Sequence, residues 1–464
     1  MLLPQMATSQ SLGDRPQIKY HYLHDDILSG KYSLQQTAQY GEFLFSTPFG
    51  KIDGFGRPAA TGSEIPTKRA IKPGNFLNRI SGPEAASCAG CHNQPGIGGA
   101  GDFVANVFFH AQDSDPVITN TDAEFSSERN TLGMFGSGVI EALAVEMSQE
   151  LIAIRESAVA EAKSKNKSVT KSLITKDVDF GKITANADGS LDTSEIEGVD
   201  SDLIIKPFHQ KGVVNSIRTF TINACNQHHG LQADERFGAA LTGSDDFDGD
   251  GVKNEMSVGD ITALVIFQAT LPVPRRVLPS DPAGRREVTL GEDLFKKIGC
   301  GSCHRPEMVL NKPIFQEPNP FNGHGNLRVQ DVKRPMLIDL TKDGPGHRLP
   351  KTPDGKGIVR AFTDLKRHKI ADESDMFFAN EKKRQNGIPV DTFMTRKLWD
   401  VGNSAPYGHR GDCMTIGEAI FHHAGEAKES RNKFMNLKDS EKEAIITFLR
   451  TLVAKPSSDG WAIE

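Results

Sequence analysis

The chain has 464 residues, a formal net charge of −6 and 37% hydrophobic residues. Intermixed acidic and basic residues exclude a nucleic-acid surface, no apolar run reaches the length of a membrane span, and a chain of this size is expected to bury two or three cores. Residues 1–17 lack the charged start and apolar stretch of a secretory leader, so an export signal is expected to have been removed or to precede residue 1.

Taken in chain order, the first predicted element is a helix in "SLQQTAQYGEFLFSTPFGKIDGFG", with an apolar stripe of Tyr40, Phe43 and Leu44 that stops in a Gly- and Pro-rich stretch. Next comes "SCAGCHNQPGIGG" at 87–99, which holds two of the six cysteines. Residues 155–205 are polar and lysine-rich and read as a surface insertion with short strands. The stretch "DDFDGDGVKNE" (245–255) alternates Asp246, Asp248 and Asp250 before Gly251, oxygen ligands suited to a hard cation such as calcium, although Ser257 stands where an EF-hand has its glutamate. "NADGSLDTSE" (186–195) is a weaker candidate of the same kind. Residues 271–287, with four prolines and four arginines, read as a linker between domains at 18–270 and 288–454. A second helix is expected in "LGEDLFKKIGCGSCH", with Leu294, Phe295 and Ile298 on its apolar side, and it runs into a second cysteine pair.

Both cysteine pairs have the form C-x-x-C-H. Two thiols on one turn can form thioethers with the vinyl groups of a haem, and the adjacent histidine then binds the iron from below. Cys88, Cys91 and His92, and again Cys300, Cys303 and His304, are therefore read as two covalent haem c sites. A structural zinc would require the two pairs to converge and would leave both histidines unexplained. Haem c is attached outside the inner membrane, so a periplasmic or otherwise exported protein is expected.

Each iron needs a sixth ligand or an open face. In "TIGEAIFHHAGEA" (415–427), Thr415 and Glu418 form a capping box that starts a helix. Ile416, Ala419, Ile420 and His423 share its apolar face, while His422 falls beside Glu418 and Glu426. His423 is thus the candidate second ligand of the C-terminal haem. Cys225 and Cys413 remain, either paired across the domains or with Cys225 near the first haem.

The stretches "PGNFLNRISGPEAASCAGCHNQPGIGGAG", "ERNTLGMFGSGVIEAL", "DLIIKPFHQKGVVNSIRTFTINACNQHHGLQADERFG", "KLWDVGNSAPYGHRGDCMTIGEAIFHHAGEA" and "SEKEAIITFLRTL" resemble the di-haem oxidoreductase family, related to bacterial di-haem cytochrome c peroxidases and MauG-type enzymes. The resemblance implies a mainly α fold of two cytochrome-c-like helical domains, each with one covalent haem c, plus loop and short-strand insertions and a bound calcium. It implies that the N-terminal haem meets peroxide or oxygen and the C-terminal haem relays electrons. His423 stands where the peroxidases have methionine, which makes the second haem bis-histidine. The peroxidatic glutamine and glutamate match Gln227 and Glu235, with Gly230 between them, and His228 and His229 are additions to that loop that could act as acid/base or close the iron. His110 lies near the position of a displaceable distal histidine. The inter-haem tryptophan is not evident where Phe220 stands, and Trp399 is a possible substitute.

Two function classes follow. One is an enzyme that activates peroxide or oxygen, with a redox protein as donor or acceptor or an organic or protein substrate. The other is a pure electron carrier with both irons closed. The large loop around Gln227 and Glu235 favours the enzyme. The sequence does not define the oligomeric state.

Overall fold

The computed structural model describes residues 15–56, 85–101, 104–106, 128–375, 377–382, 384–454 and 461–463. It is mixed and helix-rich, with 37% helix and 15% strand. The strands form two- and three-stranded antiparallel sheets scattered over the molecule, with no large sheet among the described residues.

The helices that pack against the C-x-x-C-H turns are built alike. Ser33 and Gln36 form a capping box that starts the helix Leu34–Ser46. Its buried side is Thr37, Gly41, Leu44 and Phe45, whereas Phe43 is exposed and Tyr40 stacks on Tyr22, so the expected stripe of Tyr40, Phe43 and Leu44 is displaced by one position. The reason is Gly41. The helix Val258–Thr270, buried from Gly259 onward, crosses so closely that a Cβ on Gly41 would lie 2.0 Å from the carbonyl oxygen of Ala263 and 2.8 Å from Cβ of Phe267. The helix Pro282–Lys297 meets Asp439–Arg450 in the same way, with a Cβ on Gly291 falling 1.9 Å from the carbonyl oxygen of Ala444 and 2.9 Å from Cβ of Phe448. The sequences match at these points, G-E-F-L-F beside G-E-D-L-F, and A-L-V-I-F beside A-I-I-T-F. One helix-pair frame has been used twice.

The frame aims an aromatic ring at each motif. Phe45 packs on Phe267 and lies 6.1 Å from the ring of His92, and Phe295 packs on Phe448 and lies 6.4 Å from that of His304.

Residues 271–287 are not an open linker. Arg275–Pro279 is a strand between Leu452–Val453 and Trp461–Ile463, and Asp281 caps the helix that begins at Pro282. In the polar stretch 155–205, the long helix Ser137–Lys165 continues to its αL cap at Asn166, and Val169–Thr175, Val178–Ala185 and Leu191–Asp192 form an antiparallel sheet. None of the helices among the described residues is long and apolar enough to cross a membrane.

Candidate functional site

Each C-x-x-C-H segment closes a tight 3₁₀ turn. Ser87 Oγ accepts from the Gly90 amide, and the His92 amide donates to the Cys88 carbonyl at 2.9 Å. The second turn repeats this, His304 donating to Cys300 at 3.0 Å. His92 Nδ1 donates to the Gly99 carbonyl (3.2 Å) and His304 Nδ1 to that of Phe362 (3.1 Å), so both rings present Nε2 to the adjoining cavity. Burial pushes both imidazoles down to about 4. They are neutral, as metal ligands must be.

In the second cavity a second imidazole faces the first. The rings of His304 and His423 stand 6.4 Å apart between centroids, with Nδ1 of His423 donating to the Ala419 carbonyl at 2.7 Å. Two metal–nitrogen bonds of about 2 Å each, plus about 1 Å from each nitrogen to its ring centre, give a span of about 6 Å. The pair therefore fits one iron held between two histidines. The cavity of about 280 Å³ around them is lined by Cys300, Cys303, His304 and His423, which fits a thioether-bound haem. The capping box of Thr415 and Glu418 is present. His422, expected on the polar face, is instead buried, its Nδ1 2.8 Å from an Asp375 carboxylate oxygen and its ring stacked on Phe377. The helix ends at Phe421, and the chain turns there to send His423 into the cavity and His422 into this acidic notch.

The first cavity, about 170 Å³, is lined by Cys88, Cys91, His92, Cys225, His228, His229 and His209. Cys225–His229 forms a π-helical turn, a widened geometry frequent at functional sites, ended by Gly230 at φ +75°. It turns His228 and His229 toward the cavity. His229 Nδ1 donates to the Ala85 carbonyl (2.6 Å), and Nε2 accepts from the Cys88 sulfur (3.4 Å).

Two expected residues lie elsewhere. Gln227 does not line the cavity. Glu235 is buried in an ion pair with Arg218 and also accepts from the Leu327 amide. Arg218 is fully buried and requires counter-charge, which Glu235 and Glu317 supply. The carboxylate is therefore a structural counter-ion in this fold, and its assignment to the iron face is corrected. His110 lies outside the described residues. Cys225 and Cys413 are unpaired thiols, Cys225 in the first cavity wall and Cys413 packed with Ala371 and Phe378.

His209 was not anticipated. It is a non-glycine residue at φ +73°, a conformation that persists only when its surroundings enforce it. The Gln385 amide nitrogen lies 3.2 Å from its Nδ1 and 3.5 Å from its Nε2, and its carbonyl accepts from Arg396 Nη1 at 2.8 Å. Burial, with Arg129, His228 and Arg396 nearby, pushes its imidazole down to about 3. The only sequence signal was a histidine beside a turn-forming Lys-Gly pair in "FHQKG".

The acidic loop is formed as expected from its sequence. One carboxylate oxygen each of Asp246, Asp248 and Asp250 lie within 4.8 Å of one another. Asp246 accepts from the amides of Gly249 and Gly251, and Glu255 is buried beside the cluster, with desolvation and the three aspartates pushing its carboxyl up to about 10. In "NADGSLDTSE", Asp188 and Asp192 bond to Ser190 and Ser194 of their own turns.

Residues 342–452 match the family model described as "Di-haem oxidoreductase, putative peroxidase". The cytochrome-c peroxidase IdrP2 of Pseudomonas sp. (strain SCT) is 28% identical over 37% of this chain and 40% of its own length. The cytochrome-c peroxidase IdrP2 of Denitromonas iodatirespirans is 24% identical over 43% of this chain and 48% of its own. The chain thus spans less than half the length of these relatives. The crystal structure of a MauG-like protein associated with microbial copper homeostasis aligns at 15% identity over 58% of this chain and 78% of its own, with a TM-score of 0.28, too loose a superposition to argue from. The matched segment contains His423: over residues 342–452 the chain is similar to the di-haem oxidoreductase family, and more distantly to the two cytochrome-c peroxidases.

Proposed function

We propose that the chain is a di-haem c oxidoreductase that activates hydrogen peroxide or oxygen at the first site and exchanges electrons with a redox protein through a bis-histidine second site. The observation that carries this reading is the asymmetry of the two cavities. His304 and His423 face each other at 6.4 Å, the span of one shared iron, whereas His92 shares its cavity with His209, His228 and His229. Cys88 and Cys91 would attach the first haem and Cys300 and Cys303 the second. When bound, a haem with an open face supplies an iron that binds peroxide or oxygen and exchanges electrons with it.

The chain's own residues would manage the protons, since reducing peroxide to two waters takes two electrons and two protons. His209, a neutral imidazole in the cavity wall beside the Gln385 amide, would hydrogen-bond peroxide there. His228, on the π turn, would take a proton from peroxide in this cavity and return it to the departing oxygen. Phe45, Ile140 and Phe220 exclude water from the same cavity. Asp246, Asp248 and Asp250 would hold calcium, with Glu255 beside them. Retention of one calcium through dialysis, and its loss in Asp248→Asn, checks that assignment. Attachment of haem c would require export, so an exported compartment is part of the proposal.

The test of proton handling is stopped-flow mixing with peroxide. His228→Gln is expected to slow the first spectral change about a hundred- to ten-thousandfold while both resting haem spectra stay put. An unchanged rate would remove His228 from the role.

A further inference from the structure

The two cavities share a wall. Asn130–Gly133, Gln210 and Thr395–Lys397 line both of them. Within this wall stand two adjacent cations, Arg396 and Lys397. Arg129, another cation of the first cavity, is neutralised by Glu381 at 2.6 Å. Arg396 and Lys397 have no carboxylate within 4.0 Å among the described residues. One Arg396 nitrogen donates to the His209 carbonyl, and its Nε is buried with no acceptor. The Lys397 ammonium rests on two neutral carbonyls, those of Gly133 (2.9 Å) and Phe135 (2.7 Å). Asp400 attracts Lys397 without contact, and its Oδ1 is already occupied by the Ala454 amide and Asn403.

Two neighbouring desolvated cations with no carboxylate in contact, and only Asp400 beyond contact range of Lys397, are costly unless a bound anion completes them. Each haem carries two propionate carboxylates, which are anions of the right chemistry and are brought by the groups that fill these cavities. We propose that Arg396 and Lys397 form a common propionate anchor for both haems, so that one pair of charges sets both reduction potentials and couples them. This rests on the di-haem reading. The physical consequence has a definite sign. Ferric haem carries one more positive charge than ferrous haem, so removing a nearby cation favours the ferric form and lowers the potential.

Spectroelectrochemical titration of the holoprotein tests the anchor. In Arg396→Gln the ferric-to-ferrous ratio at fixed potential is expected to rise about tenfold for both haems, a fall of about 59 mV in each one-electron couple, whereas Arg396→Lys keeps both near the wild-type values. Arg431, which lines only the second cavity, is the control: Arg431→Gln is expected to move the second haem alone. If Arg396→Gln loads haem poorly, Lys397→Gln is read by the same criterion. Two haems per chain with only one potential moved, or neither, overturns the shared anchor and leaves the di-haem reading intact. Wild-type protein carrying fewer than two haems overturns the di-haem reading itself.

Discussion

At the scale of single residues, the second cavity makes the sharpest statement. The rings of His423 and His304 stand at the span that one iron held between them would require, and this spacing is what the bis-histidine proposal rests on. His423→Ala is expected to convert the C-terminal haem from low-spin to high-spin and to leave the other signal nearly unchanged, as read by optical and EPR spectra. An unchanged low-spin signal would pass the ligand role to another residue of that cavity, such as His409. Glu235 illustrates the opposite case. It matches a catalytic position in sequence, yet its carboxylate neutralises buried Arg218. Glu235→Gln is therefore expected to cost about 3 kcal/mol of stability in denaturant unfolding, with peroxide reactivity per folded molecule preserved. A large loss of reactivity without loss of stability would return Glu235 to the chemistry. The difference was not visible in the sequence, because Arg218 reaches Glu235 only through the folding of Ser216–Gly238, and Glu317 joins from a strand 99 residues away.

At the scale of elements, the two helix pairs form the scaffold that holds the histidines. Gly41 and Gly291 permit backbone-to-backbone approach, and Phe45 and Phe295 then brace the axial rings. A methyl group has no room at either glycine. Gly291→Ala is expected to destabilise the chain by about 1–3 kcal/mol and to perturb the spectrum of the second haem selectively, since its frame supports only that site. Equal perturbation of both haems would show that the frames are not independent. These elements were partly legible. The capping box at Thr415 and the C-x-x-C-H turns are local chemistry, fixed within a few consecutive residues. The exact stripe of the first helix was not, because a glycine contact with a helix more than two hundred residues away overrides the apolar period. The strand Arg275–Pro279 was missed for a similar reason. Its proline-rich sequence has no apolar alternation, and it pairs with the chain's last described segments.

At the scale of the whole molecule, the architecture is two cavities with one wall between them and one facing-histidine pair between two sites. The two C-x-x-C-H turns were readable from spacing, since a chain with six cysteines places four of them in this one repeated pattern. The distance between the sites, the shared wall and the strained His209 depend on tertiary packing that no local pattern encodes. The central claim is the division of labour between an open first haem and a closed second one. The most direct measurement is carbon monoxide titration of the fully reduced protein, with haem counted by pyridine haemochrome. Two haems per chain with one carbon monoxide bound per chain are expected, the iron between His304 and His423 binding none. Two haems per chain with no carbon monoxide bound, and a spectrum indifferent to peroxide, would contradict that division of labour and leave an electron carrier.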